Sequence, residues 1–205
     1  MRMTSIESVT LEVADPTAAA AFYSAAFGLG PQLRFRAGDT PTSGFRGFTL
    51  SAIVSQPANV QVLFDSAVAA GATTLKAPEK SMWGYGGIIQ APDGEIWNIA
   101  TSAKKDAGPA SREIDSVVLL VSGEDVGATK RFYKEHGFEV GKSFGSYVEF
   151  VTPSSPIGFG LYARKALAKA YAVSPEGSGS HRLTINSDAG QFTDPAGFTW
   201  EPSAG

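Results

Sequence analysis

Apolar and polar side chains alternate near the start of the chain: Val9, Leu11 and Val13 point one way, and Ser8, Thr10 and Glu12 the other. That is the period of a strand with one apolar face, and this face is expected to hold the helix that follows. Asp15 before Pro16 marks its start, as an N-cap followed by proline at the first helical position. The helix runs over residues 18–26 with Phe22 and Tyr23 toward the core, and Gly28 and Gly30 stop it. Leu33, Phe35 and Ala37 read as a strand, and residues 38–44 as a loop by composition. Phe48, Leu50, Ala52 and Val54 then alternate with Thr49, Ser51 and Ile53 as a new first strand. A helix over 59–70 places Val60, Leu63, Phe64 and Val68 at helical spacing and ends at Gly71.

Residues 83–100 read as a β-hairpin, with Ile88, Ile89, Ile96 and Ile99 in its arms and Pro92-Asp93-Gly94 at its turn. The pattern returns as Asp194-Pro195-Ala196-Gly197-Phe198-Thr199-Trp200-Glu201, with Trp200 in the place of Trp97 and Glu201 in that of Asn98. Both tryptophans are assigned to the core. Residues 6–13 likewise match 114–121, each followed by Phe-Tyr, at Phe22-Tyr23 and Phe132-Tyr133, and then by Gly28 or Gly137. The chain is therefore an internal repeat.

The second half follows the same plan. A strand ends at Val121, a helix spans 125–135, strands fall at 139–144, 147–151 and 157–162, and a short helix covers 163–172. After a loop at 174–180, a strand over 181–186 places Leu183 and Ile185 on one face with His181. Arg182, Thr184 and Asn186 face the other way, where the sister units present apolar residues to a helix. Only residues 188–190 separate this strand from the next pair, so that helix is missing, and a polar outer face fits its absence.

The motif IxxVxLxVxD, the following FYxxxxG and the closing PDGxxW resemble the glyoxalase, bleomycin-resistance and extradiol-dioxygenase superfamily, the vicinal oxygen chelate proteins. The resemblance implies an α+β fold of four paired βαβββ units, the first and fourth trimmed, in curved mixed sheets that form half-open barrels. The expected division is an N-terminal domain at 1–103, a polar linker at 104–112 and a C-terminal domain at 113–205. Such a chain is expected to be a monomer that mimics a family dimer, with a homodimer as the other possibility.

With 205 residues and an ordinary apolar share, the chain can bury a real core. A net charge of −3, with Lys and Arg scattered rather than striped, gives no footprint for nucleic acid. Without cysteine there is no disulfide framework, thiolate metal site or cysteine nucleophile. Residues 1–4 offer no apolar signal core and no run is long enough to span a bilayer, so the expectation is a cytoplasmic protein with no membrane partner.

In the superfamily each pair of units surrounds one cavity, and the resemblance implies up to four metal ligands from first and last strands. Carried over position by position, they fall on Ser8, Thr49, Asn98 and Ser116, none a good ligand for a divalent metal, and on His181 and Glu201, which are about half of a usual set. Three readings of that pair stand: strand-end and solvated residues, a metal-free acid/base or ligand-orienting pair, or a metal pair completed by water or substrate. Glu12 shares a strand face with Ser8 and reads either as an exposed strand glutamate or as a group that reaches the first cavity. His136, at a helix end, is a favourable charge for the helix dipole. Trp83, Tyr85, Tyr147, Phe159 and Tyr162 fall on or beside cavity strands, where aromatic walls suit a flat organic ligand and equally suit core packing. Gly84-Tyr85-Gly86-Gly87 lacks the Lys-Ser/Thr of a phosphate loop.

The expected function is a glyoxalase/bleomycin-resistance-like protein that binds a small organic molecule in a metal-poor cavity, without a cofactor. The alternative is a lyase, isomerase or dioxygenase acting through His181 and Glu201, with or without a divalent metal. A scaffold serving a protein contact is the third reading.

Overall fold

The computed structural model describes residues 4–203; the expectation about a signal core falls partly on residues 1–3, which lie outside them. In chain order the elements are β1 (Ile6–Val13), α1 (Pro16–Ala26), β2 (Leu33–Ala37), β3 (Thr42–Gly44), β4 (Phe48–Ile53), α2 (Pro57–Ala69), β5 (Thr73–Ser81), β6 (Gly84–Gln90) and β7 (Ile96–Thr101). They continue with β8 (Ser116–Gly123), α3 (Val126–Glu135), β9 (Glu139–Phe144), β10 (Tyr147–Val151), β11 (Ile157–Ala163), α4 (Arg164–Ala170), β12 (Gly177–Gly179), β13 (Leu183–Ser187), β14 (Phe192–Thr193) and β15 (Thr199–Pro202). Two complete βαβββ repeats stand out, β4-α2-β5-β6-β7 and β8-α3-β9-β10-β11. They are flanked by a first repeat without a full hairpin and a fourth without a helix.

The compact units are not the sequence halves. The first comprises the described residues of Met1–Ala14, Pro31–Phe48 and Leu119–Gly205; the second comprises Asp15–Gly30 and Thr49–Val118.

The second unit carries β5, β6, β7 and β4 side by side, with α1 and α2. Asp15 Oδ1 accepts from the Thr17 and Ala18 amides at 2.9 and 3.0 Å, the expected cap. The helix following β1 is thus placed in this unit, where Tyr23 and Phe27 meet the Trp97 ring at 5.7 and 4.8 Å between centroids. Val60, Leu63 and Phe64 of α2 are buried as their spacing predicts, whereas Val68 is 40% exposed. A Cβ on Gly87 would stand 2.8 Å from the Phe64 ring, so the glycine lets the helix approach the sheet. Edge strand β5 is polar and largely exposed, and no alternation announces it. The expected linker is bound rather than free. Gln56 Nε2 donates to Gly108 O and Pro109 O at 3.1 and 2.9 Å, while its Oε1 accepts from the Ala107 and Gly108 amides at 2.8 and 3.0 Å.

The first unit holds a sheet in the order β14-β15-β13-β1-β2, so the fourth repeat pairs with the first through antiparallel β1 and β13. It also holds β11, β10 and β9, α3 and α4, and β8 from Leu119 onward. Its core gathers around Tyr133 of α3, which meets Phe138, Phe150, Phe159 and Trp200 edge-on at 5.0–5.6 Å. The two stretches expected as loops, 38–44 and 174–180, zip together as the β3–β12 ribbon. Glycines allow this: a Cβ on Gly177 would stand 2.2 Å from Phe45 O, and Gly44 adopts a φ of +68°.

Each unit buries a tyrosine held by a carboxylate beside the repeated turn, although Trp200 Nε1, unlike Trp97 Nε1, has no hydrogen-bond partner among the described residues. Trp97 Nε1 donates to Tyr23 Oη at 3.1 Å and Tyr23 donates to Glu95 Oε2 at 3.3 Å. In the first unit Tyr133 donates to Asp194 Oδ2, while Asp194 Oδ1 accepts from the Ala196 and Phe198 amides, both at 2.9 Å. Burial, and next the adjacent carboxylate, push both phenols well above the ordinary tyrosine range.

Candidate functional site

Register places a polar array on one face of the five-stranded sheet. Thr10 stands between Arg34 and Thr184, Glu12 beside Arg36, Ser8 beside Asn186, and Asn186 beside Glu201; residues paired across strands share a face. Leu11, Leu183, Ile185 and Trp200 occupy the buried opposite side. This corrects the expectation that Thr184 and Asn186 form an outer face: they are only 3% and 6% exposed. The groups satisfy one another. Ser8 and Thr10 hydroxyls donate to Asn186 Oδ1 at 3.3 and 2.8 Å, and Arg36 Nη2 donates to Thr184 Oγ1 at 2.8 Å. Arg36 Nη1 lies 3.9 Å from Glu201 Oε1. Glu12 Oε1 accepts from the Thr40 amide at 2.8 Å. Hydrogen bonds from Thr40, aided by the Arg182 and Arg36 charges, hold its carboxyl below the usual range. Arg34 and Arg36 were not singled out in the sequence, although their alternation with Leu33 and Phe35 places both on one face.

This donor set does not fit a divalent cation. Glu201 faces an arginine, Asn186 Oδ1 already accepts from two hydroxyls, and the neighbouring side chains are Ser and Thr. Among the described residues no three His, Cys, Asp or Glu side chains gather as a metal site, and such sites normally take three or four strong ligands.

The structure gives His181 and Glu201 different surroundings. His181 precedes β13 rather than lying in it, and Arg182 between them takes a φ of +51°, which breaks the alternation. The imidazole meets Arg46 O through Nδ1 at 2.5 Å and Ala196 O through Nε2 at 2.9 Å, and it stacks on Phe198 at 3.8 Å. Carbonyl oxygens occupy the hydrogen-bonding positions of both ring nitrogens. Neither nitrogen is left to exchange a proton with a substrate, and Glu201 has Arg36 as its partner.

The remaining candidates are dispersed. Ser116 is exposed, and half-buried Asn98 pairs with Ser51 and Ile88. Thr49 is fully buried, and its Oγ1 meets no partner among the described residues. Trp83 is 82% exposed on the β5–β6 turn. Tyr85 donates to Gln61 Oε1 at 3.2 Å, on the helix side of its sheet. Phe159 is core. His136 ends α3 as expected, with Nδ1 2.8 Å from Phe132 O and its ring stacked on Phe132.

Tyr147 and Tyr162 do come together. Val148 and Phe150, with Phe159 and Leu161, are buried on the Tyr133 side. The intervening residues, Tyr147, Glu149, Gly160 and Tyr162, face the opposite way. The two rings are cross-strand neighbours with centroids 4.8 Å apart, and Tyr147 donates to Glu149 Oε2 at 3.3 Å. A Cβ on Gly160 would stand 2.7 Å from Leu120 Cδ2 and 3.2 Å from Tyr147 Cε2. Glycine therefore lets the aromatic and aliphatic groups close over the strand. Both rings remain half-exposed. Partial burial raises both phenols, and the Glu149 charge raises Tyr147 further.

Set against solved structures, the chain is similar to glyoxalase I from Zea mays, with a TM-score of 0.62 at 13% identity over 96% of this chain and 91% of that one. It is also similar to a putative dioxygenase from Bacillus subtilis, with a TM-score of 0.55 at 13% identity over 91% of this chain and 71% of that one. No family model and no curated protein sequence matches it. The likeness is one of fold: over nearly the whole chain the paired βαβββ architecture is the one found in these two solved structures.

Proposed function

We propose that the protein binds a small, flat, partly aromatic organic molecule against Tyr147 and Tyr162, without a resident metal. The observation that carries this reading is the pair of half-exposed rings on a sheet face that also bears Leu120 and Glu149. The polar array on the five-stranded sheet, by contrast, uses its donors and acceptors on itself. Stacking on the rings adds roughly 0.5–1.5 kcal/mol per aromatic contact beyond area burial. Glu149 favours a ligand that carries an amine or hydroxyl donor, because a bound acid would face a carboxylate.

The test is a thermal-shift panel of heteroaromatic amines and phenols run in chelator. A ligand present at a hundredfold its Kd is expected to stabilise the protein by about 2.7 kcal/mol. That gain is lost in Tyr147→Ala and Tyr162→Ala and kept in Arg36→Ala. A panel without any saturable shift, a shift abolished by chelator, or a shift that survives both tyrosine variants contradicts the reading.

A further inference from the structure

The first compact unit contains a second feature that the aromatic face leaves unused, a cavity of about 320 Å³ lined by Arg164, His181, Glu124 and Asp125. This volume lies at the lower end of small-molecule sites. Arg164 is held in place from behind: Nε donates to Pro175 O at 2.8 Å, Nη2 donates to Phe45 O at 2.6 Å, and the guanidinium lies 5.1 Å from the centre of the Phe45 ring. Its Nη1 stands 2.9 Å, and His181 Cε1 3.3 Å, from the point where a Cβ on Gly47 would lie, so the two side chains are neighbours beside a glycine. Backbone carbonyls satisfy donors but do not neutralise a charge. Among the described residues no carboxylate comes within ion-pair distance of Arg164.

The opposite sign is present in the same lining. Asp125 Oδ1 is committed to capping α3 through the Ala128 amide at 2.8 Å. Glu124 is exposed and, among the described residues, makes no hydrogen bond or ion pair. One cavity therefore presents an unneutralised guanidinium and an uncommitted carboxylate that do not pair with each other. A ligand of a single sign is attracted by one and repelled by the other.

We propose that this cavity binds a compact zwitterion of the α-amino acid class, with its carboxylate on Arg164 Nη1 and its ammonium toward Glu124. The fixed guanidinium suits this role, since little of its own freedom remains to be lost on binding.

Isothermal titration of the full chain with the common α-amino acids tests the proposal, with acetate and methylammonium as single-sign probes. At least one amino acid is expected to bind saturably, and both single-sign probes at least about tenfold more weakly, since one charge-assisted hydrogen bond is worth about that factor. Glu124→Gln is expected to weaken the amino acid about tenfold with an unchanged melting temperature. Tyr147→Ala should bind it as the parent does, which separates this site from the aromatic face. The proposal is overturned if no amino acid gives a saturable heat, if acetate alone binds as tightly, or if Glu124→Gln has no effect. Arg164 also ties two loops together, so the conservative Arg164→Lys is read only beside Glu124→Gln.

Discussion

Replacing Tyr133 by Phe removes one oxygen from the centre of the first unit and leaves its shape intact. The ring makes edge contacts with Phe138, Phe150, Phe159 and Trp200, which phenylalanine preserves, so the cavity term is negligible. What is lost is the hydrogen bond to Asp194 Oδ2, on a carboxylate only 5% exposed whose other oxygen is already shared by two amides. A hydrogen bond to a charged group contributes roughly 1.5–3 kcal/mol, so about 2 kcal/mol of destabilisation is expected at neutral pH. At about 2–4 °C per kcal/mol for a chain of this size, the melting temperature should fall by roughly 4–8 °C. The pH dependence supplies a second, signed check. Because the folded-state pKa of Tyr133 is raised above the unfolded value near 10, its contribution is fully present below that pH and declines above it, toward the folded pKa. The unfolded chain releases this proton first, so the gap between the parent and Tyr133→Phe should narrow by about 1.4 kcal/mol per pH unit above 10. Urea unfolding followed by far-UV circular dichroism at neutral pH and in this alkaline range measures both. A gap below about 0.5 kcal/mol at neutral pH, or one that widens with alkali, refutes the reasoning.

Asp15→Ala removes the cap of α1 and should cost about 1 kcal/mol, measured by the same unfolding experiment. Gln56→Ala strips the partners from Ala107, Gly108 and Pro109; about 2 kcal/mol of lost stability is expected, and limited proteolysis should find new cleavage within 104–112. Gly177→Ala forces a Cβ within 2.2 Å of Phe45 O, so the β3–β12 ribbon should open, read as faster amide exchange at 42–44 and 177–179. Glu12→Gln should remove a small component of stability that the parent loses as pH falls below about 4.5, because the folded carboxyl is depressed from that value.

Much of the architecture is legible in the sequence because it is written in local rules. Capping Asp15 and Asp125, the alternation of β1, β10 and β11, and the PDG turn each follow from one short stretch. The repeat of Phe-Tyr and Trp assigns the two cores, although it is silent about the carboxylates that hold their phenols. Glu95 and Asp194 occupy different positions around the turn, so no aligned residue marks the shared pairing. Edge strand β5 escapes because it buries little, and the ribbon escapes because Gly and Ser read as loop until a second strand is found. The site reading turns on one backbone angle. With Arg182 at a φ of +51°, His181 leaves the face that simple alternation gives it, and the polar side of β13 joins Ser8, Thr10 and Glu201 instead. Tyr147 and Tyr162 remain where their strands predict, since both lie in regular register.

The chain has six tyrosines, at 23, 85, 133, 147, 162 and 171, so NMR of ring-labelled tyrosine reports on every one of them as a ligand is added in chelator. With a compound selected by the thermal-shift panel, the resonances of Tyr147 and Tyr162 should move together and saturate, while those of buried Tyr23 and Tyr133 stay in place. Saturable shifts confined to Tyr85, or ligand binding that leaves Tyr147 and Tyr162 unmoved, would contradict the account.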